Sequence, residues 1–123
     1  MSVTALAIVI TVILNASAQI FLRSGVKDIP VDMLLAQRDI AGLVVRIING
    51  GVIAGLMAYV ISVVTWMYVL SRLPVSVAYP AVSLAYVVGV GMGWLFLGEQ
   101  VSAGRLLGVG IVLIGITVIA RNA

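Results

Sequence analysis

The sequence predicts an all-α integral membrane protein, with four transmembrane helices and a short interfacial helix between the first and the second. Three observations predict it. The 123 residues are 63% apolar and only 9% charged, against roughly a quarter charged in a soluble domain. The charges leave four uninterrupted stretches, Met1 to Leu22, Ile47 to Ser71, Leu73 to Gly98 and Leu106 to Ala120. Three reach the roughly 20 residues that cross a bilayer as a helix. The fourth does so if it starts near Val101 and Arg105 snorkels to the interface. Finally, none of the stretches has the polar outer face that a soluble bundle requires. The whole chain, 1–123, reads as one domain.

The first helix is expected over Val3 to Leu22. It lacks a basic leader and is polar in its far half, so it reads as a helix of the mature protein rather than a signal peptide. The connection after it, "RSGVKDIPVDMLLAQRDIAGLVVRIINGG", is long. Between Val31 and Ile47, Leu34, Leu35, Ile40, Leu43, Val44 and Ile47 gather apolar surface, while Asp32, Arg38, Asp39 and Arg46 are polar. That pattern predicts one helix lying in the interface, with Pro30 as its start signal and Asn49-Gly50-Gly51 as its stop.

The second helix is expected over Val52 to Leu70, the third over Val75 to Leu97 and the fourth over Val101 to Ala120. Short connections at Arg72-Leu73-Pro74 and Gly98-Glu99-Gln100 make antiparallel hairpins. Pro80 should kink the third helix. Arg23, Lys27, Arg38, Arg46 and Arg105 then share one side of the membrane, and only Arg72 and Arg121 the other. The richer side is expected to be cytoplasmic, with both termini outside.

Several function classes are disfavoured. There is no Cys or His, so neither thiolate chemistry nor a His-based metal or acid–base site is expected. No nucleophile sits beside a base and no glycine-rich phosphate loop is present, so neither catalysis nor a cofactor is expected. The net charge of +3 is too small and dispersed for nucleic acid and suits anionic headgroups instead.

The polar residues within the spans are therefore informative. In "LNASAQIFLRSG" the apolar first helix acquires an Asn, a Gln and an Arg. Thr11, Asn15, Gln19 and Arg23 are spaced by four, one stripe on one helical face. Such a stripe serves either helix–helix hydrogen bonding, at roughly 0.6–2 kcal/mol per contact, or a cavity. Two carboxamides and an Arg exceed one packing contact, so the stripe is read as a substrate lining, with Arg23 at its cytoplasmic mouth. Tyr79, Ser83 and Tyr86 on the third helix, and Tyr59, Ser62 and Trp66 on the second, follow helical spacing too. The third-helix set is either interfacial anchoring or cavity lining; the anchoring reading suits Tyr68 and Trp94 better. Glu99 is the one acidic residue outside the long connection. Gly108 and Gly115, with Gly104 a turn earlier, form a small-residue stripe on the fourth helix; Gly89 and Gly93 form another on the third. Such stripes let backbones approach in lipid, within the chain or between chains. The outlying position of the last hairpin favours a dimer contact at Gly108 and Gly115.

Two stretches carry a family resemblance. "RLPVSVAYPAVSLAY" resembles the start of the third helix in the small multidrug resistance proteins of the drug/metabolite (EamA-like) transporter superfamily. "FLGEQVSAGRLLGVGIVLIGITVI" resembles their third-to-fourth hairpin, including the Gly108/Gly115 pair used there for dimer contact. The family's drug exporters carry a Glu in the first helix where this chain has Asn15, which cannot titrate. "AYPAVSL", "GEQVS", Gln19 and the extended first connection are instead similar to the subunits of the aminoarabinose-phosphoundecaprenol flippase. The resemblance implies a subunit that translocates a polyprenyl phosphate-linked monosaccharide across a bacterial inner membrane, with periplasmic termini and a homodimeric or heterodimeric partner. Its expected substrate contacts are Asn15, Gln19, Arg23, Trp66, Tyr79, Ser83, Tyr86 and Glu99. The competing expectations are export of a small cation or metabolite, with Glu99 or a partner supplying the carboxylate, and a non-transporting subunit that completes a heterodimer.

Overall fold

The computed structural model of the protein describes residues 2–122. Seven helical segments follow one another: α1 (Val3–Val26), α2 (Val31–Ala36), α3 (Ile40–Ile47), α4 (Gly50–Arg72), α5 (Val75–Val82), α6 (Leu84–Leu97) and α7 (Ala103–Arg121). Four spans, Val3–Val26, Gly50–Arg72, Val75–Leu97 and Ala103–Arg121, are long and apolar enough to cross a membrane. The described residues form helices and connections without a strand.

Local signals set the ends. The Ser2 hydroxyl accepts from the Ala5 N–H at 3.1 Å and starts α1, and the Ser102 hydroxyl does the same for α7 through the Arg105 N–H at 3.2 Å. Each satisfies one amide that the first helical turn leaves unpaired. Helix α1 runs past the expected Leu22 to Val26, so Arg23 lies within helical geometry rather than after it. Asn49 caps α4. Its Oδ1 accepts from the Val52 N–H at 3.1 Å, while its Nδ2 donates to the carbonyls of Gly25, Arg46 and Ile47 at 2.8, 3.0 and 3.3 Å. One carboxamide thus ties the end of α1, the end of α3 and the start of α4.

The long connection differs from expectation in one respect: it holds two short helices, not one continuous helix from Val31 to Ile47. Helix α2 ends when Arg38 adopts φ 55°. The Arg38 N–H then bonds the Leu35 carbonyl at 3.1 Å and the Asp39 N–H the Leu34 carbonyl at 2.9 Å. That pair of bonds is the usual left-handed helix stop, here on an Arg where glycine is the common choice. Asp39 immediately restarts the chain by capping Gly42 N–H at 2.9 Å. The competing cap at Asp39 divides what apolar periodicity alone joins.

The third span also divides. Pro80 has no N–H to give and its ring crowds the preceding turn. The helix breaks at Ser83, where i→i−3 bonds, Ser83 N–H to Pro80 and Tyr86 N–H to Ser83, both 3.0 Å, replace the regular ladder.

Packing centres on α1 against α4. With lipid on the outside, helices associate through close approach and polar contacts rather than through escape from water. Gly51 and Gly55, four apart on α4, meet Gly25 and Ala18 of α1. A Cβ at Gly51 would lie 3.0 Å from the Gly25 Cα, and one at Gly55 2.8 Å from Leu22 Cγ. Ala16, Ala18 and Val52 are buried beside them. Towards the other end, the Thr11 hydroxyl donates to Thr65 Oγ1 at 2.7 Å, and Ala7, Val69 and Ala78 form a small cluster under Trp66 and Leu73. Helix α7, by contrast, has no buried residue.

Candidate functional site

Between α1, α4, the broken α5–α6 span and the first turn of α7 lies an open cavity of about 930 Å³. Asn15, Gln19, Arg23, Trp66, Tyr79, Ser83, Tyr86 and Glu99 all line it. The spacing of the first helix brings Asn15, Gln19 and Arg23 to one wall. Thr11, the first member of that stripe, turns away: it is 2% exposed and spent on the Ala7 carbonyl and Thr65. The stripe thus divides, with its deepest residue used for helix packing and the next three facing the cavity.

The opposite wall comes from the break in the third span. Tyr79 from α5, Ser83 at the break and Tyr86 from α6 all line the same cavity. Tyr79 and Tyr86 remain 70% and 53% exposed although they line it, so this chain builds only part of the enclosure.

Three lining residues of chemical consequence were not among the expected contacts. Tyr59 and Ser62 share the α4 stripe with Trp66. The Gln19 amide donates to Tyr59 Oη, which fixes the carboxamide and leaves its oxygen as an acceptor. The Ser62 hydroxyl donates to the Tyr59 carbonyl at 2.7 Å. Their i, i+3 and i+7 spacing was the available signal. The third is Arg105, whose place at the start of α7 reads from sequence only as an interfacial anchor.

Charge is confined to one end. Arg23 Nε donates to Glu99 Oε1 at 3.2 Å, an ion pair joining the end of α1 to the α6–α7 turn. Glu99 reaches it because the turn is compact. Gly98 takes φ 66°, where a side chain would be strained. The Glu99 N–H donates back to the Gly93 carbonyl at 3.2 Å, and the carboxylate folds over Gly93, where a Cβ would stand 2.8 Å from Oε2. Gly93 therefore makes room for Glu99 rather than for another helix. Gly108 and Gly115 lie away from the cavity, and beyond the backbone of α7 itself a Cβ at either would meet no described atom within 4 Å.

Four spans, an open cavity that gathers carboxamides and hydroxyls between them and charge at one mouth define a multi-pass membrane protein with polar groups held at membrane depth. The chain belongs to the EamA-like transporter family, which it matches over residues 2–121. It is similar to the probable 4-amino-4-deoxy-L-arabinose-phosphoundecaprenol flippase subunit ArnF of Enterobacter sp. (strain 638), with 31% identity over 89% of this chain and 87% of that one. The ArnF proteins of the same description from Yersinia enterocolitica and Photorhabdus laumondii are 33% and 34% identical, over 89% and 91% of this chain and 87% and 92% of theirs. No solved structure matches the chain.

Proposed function

We propose that the protein is a subunit of an inner-membrane flippase that translocates a polyprenyl phosphate-linked monosaccharide, working as one half of a dimer. The observation that carries this reading is the division of the cavity between an uncharged interior, where hydrogen-bonding side chains stand among apolar ones, and a charged mouth. Asn15, Gln19, Tyr59, Ser62, Tyr79, Ser83 and Tyr86 supply donors and acceptors without charge, while Arg23, Arg105 and Glu99 stand at the end. A sugar needs the former and a phosphate the latter. A phosphodiester left unpaired at membrane depth is too costly to move, and a guanidinium fork can hold two of its oxygens. The substrates printed in the relatives' names fit the same division.

Export of a cation is disfavoured by one observation: Glu99 is the only carboxylate among the lining residues, and it is paired with Arg23. The exposure of Tyr79 and Tyr86, and the unfilled surface over Gly108 and Gly115, support a second chain, identical or related, closing the enclosure. The positive-inside asymmetry supports periplasmic termini.

Reconstitution tests the proposal. Proteoliposomes containing this chain, with and without a related four-helix subunit, are loaded with undecaprenyl phosphate aminoarabinose in one leaflet and its appearance in the other is followed. Translocation by either preparation above protein-free vesicles is expected. None in either, with both proteins inserted, refutes the reading; translocation that persists when this chain is omitted reduces it to an accessory subunit.

A further inference from the structure

We propose that the cavity mouth holds an anionic lipid in two parts, its phosphate on Arg105 and the adjoining stretch of its tail in the groove between α6 and α7. This rests on the flippase reading above and adds where on this chain the two parts of the substrate lie.

The phosphate assignment comes from charge. Arg23, Glu99 and Arg105 are the charged residues among those lining the cavity. Arg23 is neutralised by Glu99 at 3.2 Å. Arg105 Nη1 donates only to the backbone carbonyl of Gln100, at 3.3 Å, and no carboxylate among the described residues is within ion-pair distance of it. Two guanidinium groups against one carboxylate leave the mouth with a single uncompensated positive charge, located on Arg105. A phosphodiester carries a single negative charge, so the loaded mouth is neutral. A diphosphate would leave excess negative charge where lipid cannot solvate it. Arg23, tied through Nε, keeps its terminal nitrogens for a secondary contact.

The tail assignment comes from continuity. A second hollow of about 380 Å³ is lined by Val90, Gly91, Trp94, Val101 and Leu106. It is apolar, it shares Val90 with the polar cavity, and Leu106 directly follows Arg105. A Cβ at Gly91 would meet nothing within 4 Å, so the absence of a side chain there keeps the groove open. A molecule whose phosphate sits on Arg105 therefore has polar lining on one side and a hydrocarbon slot on the other, which is the division of a lipid-linked sugar.

Binding to the protein in phosphatidylcholine nanodiscs tests both halves, with undecaprenyl phosphate glucose carrying a diazirine near the phosphate as the probe. Arg105→Gln should weaken binding about tenfold or more, the size of one lost charge-assisted contact. Glu99→Gln should strengthen it, since the mouth gains positive charge. Light should attach the tail to Trp94 or Leu106, and Gly91→Phe, whose Cβ enters open space, should abolish that attachment. Undecaprenyl diphosphate glucose and phosphatidylglycerol should both compete poorly. If the unaltered protein binds the probe but Arg105→Gln binds it equally, or the tail attaches to α1 or α4, the placement is wrong and the flippase reading stands. Equal competition by the diphosphate overturns the charge match, and equal competition by phosphatidylglycerol makes the site a general phospholipid contact. An unaltered protein that does not retain the probe overturns this placement, and if it does not retain it together with the related four-helix subunit either, the flippase reading falls as well.

Discussion

Gly55 shows how little freedom single residues have where α1 crosses α4. A Cβ there would stand 2.8 Å from Leu22 Cγ and 3.0 Å from the Ala18 carbonyl. Gly55→Leu must push the helices apart, and overpacking of this kind costs about 1–3 kcal/mol. Thermal unfolding in detergent should show a clearly lowered midpoint. Gly91→Ala should do the reverse or nothing, because no atom lies within 4 Å and Ala favours helix by up to about 1 kcal/mol. Equal midpoints for the two variants would mean that the close crossing does not hold the fold. Arg23 is constrained by chemistry instead. Its Nε is engaged by Glu99, so a phosphate would have to be met by its remaining nitrogens, which the point charge of a Lys cannot supply in the same geometry. Arg23→Lys should slow lipid translocation by about tenfold or more while insertion and the pairing with Glu99 persist. An unchanged rate would reduce Arg23 to an interfacial anchor.

At the scale of elements, α7 is the exception. Helices α1 and α4 bury small residues against each other, whereas α7 buries none and presents Gly108 and Gly115 to empty space. A glycine pair is useful when another backbone comes close, and none in this chain does. Gly108→Leu and Gly115→Leu should therefore shift dimer to monomer in mild detergent, seen by light scattering, with the helical content and unfolding midpoint of the monomer unchanged. Retention of the dimer in both variants would move the contact elsewhere. The α2–α3 elbow teaches a different lesson. Its apolar periodicity runs through Arg38 without a break, and only the left-handed stop there and the Asp39 cap reveal two helices. By periodicity Asp39 reads only as a polar position of one continuous helix, and its role as a cap appears only in the fold. In the third span the reverse holds, since Pro80 announced the break that the structure places three residues on, at Ser83.

For the whole molecule, the cavity is the unit that the proposed function acts on, and accessibility can map it. Without native cysteines, single-Cys variants at Asn15, Gln19, Tyr79 and Ser83 report cleanly. They should react with a membrane-impermeant maleimide several-fold faster than Ile13, Val60 or Leu107, which are exposed on outward faces away from the cavity lining. A saturating polyprenyl phosphate sugar should protect the first four and leave the others unchanged. Uniform reactivity would show that these residues face no common space in the membrane.

The sequence by itself determined the spans, because crossing a bilayer depends on length and on the absence of charge, both local properties. It also determined which polar residues share a helical face, since that is fixed by a 3.6-residue period. Tertiary structure alone decided which faces meet. Thr11 and Asn15 lie on one stripe, yet the first bonds Thr65 and the second lines the cavity. Gly51 read only as part of a stop signal and Gly55 carried no reading, yet both lie where α4 crosses closely over α1. Glu99 and Arg23, 76 residues apart, formed an ion pair that moved the free charge to Arg105. In lipid no hydrophobic gradient selects one apolar face over another. The choice falls to close packing of small residues and to pairing of polar groups, and both depend on residues far apart in the chain.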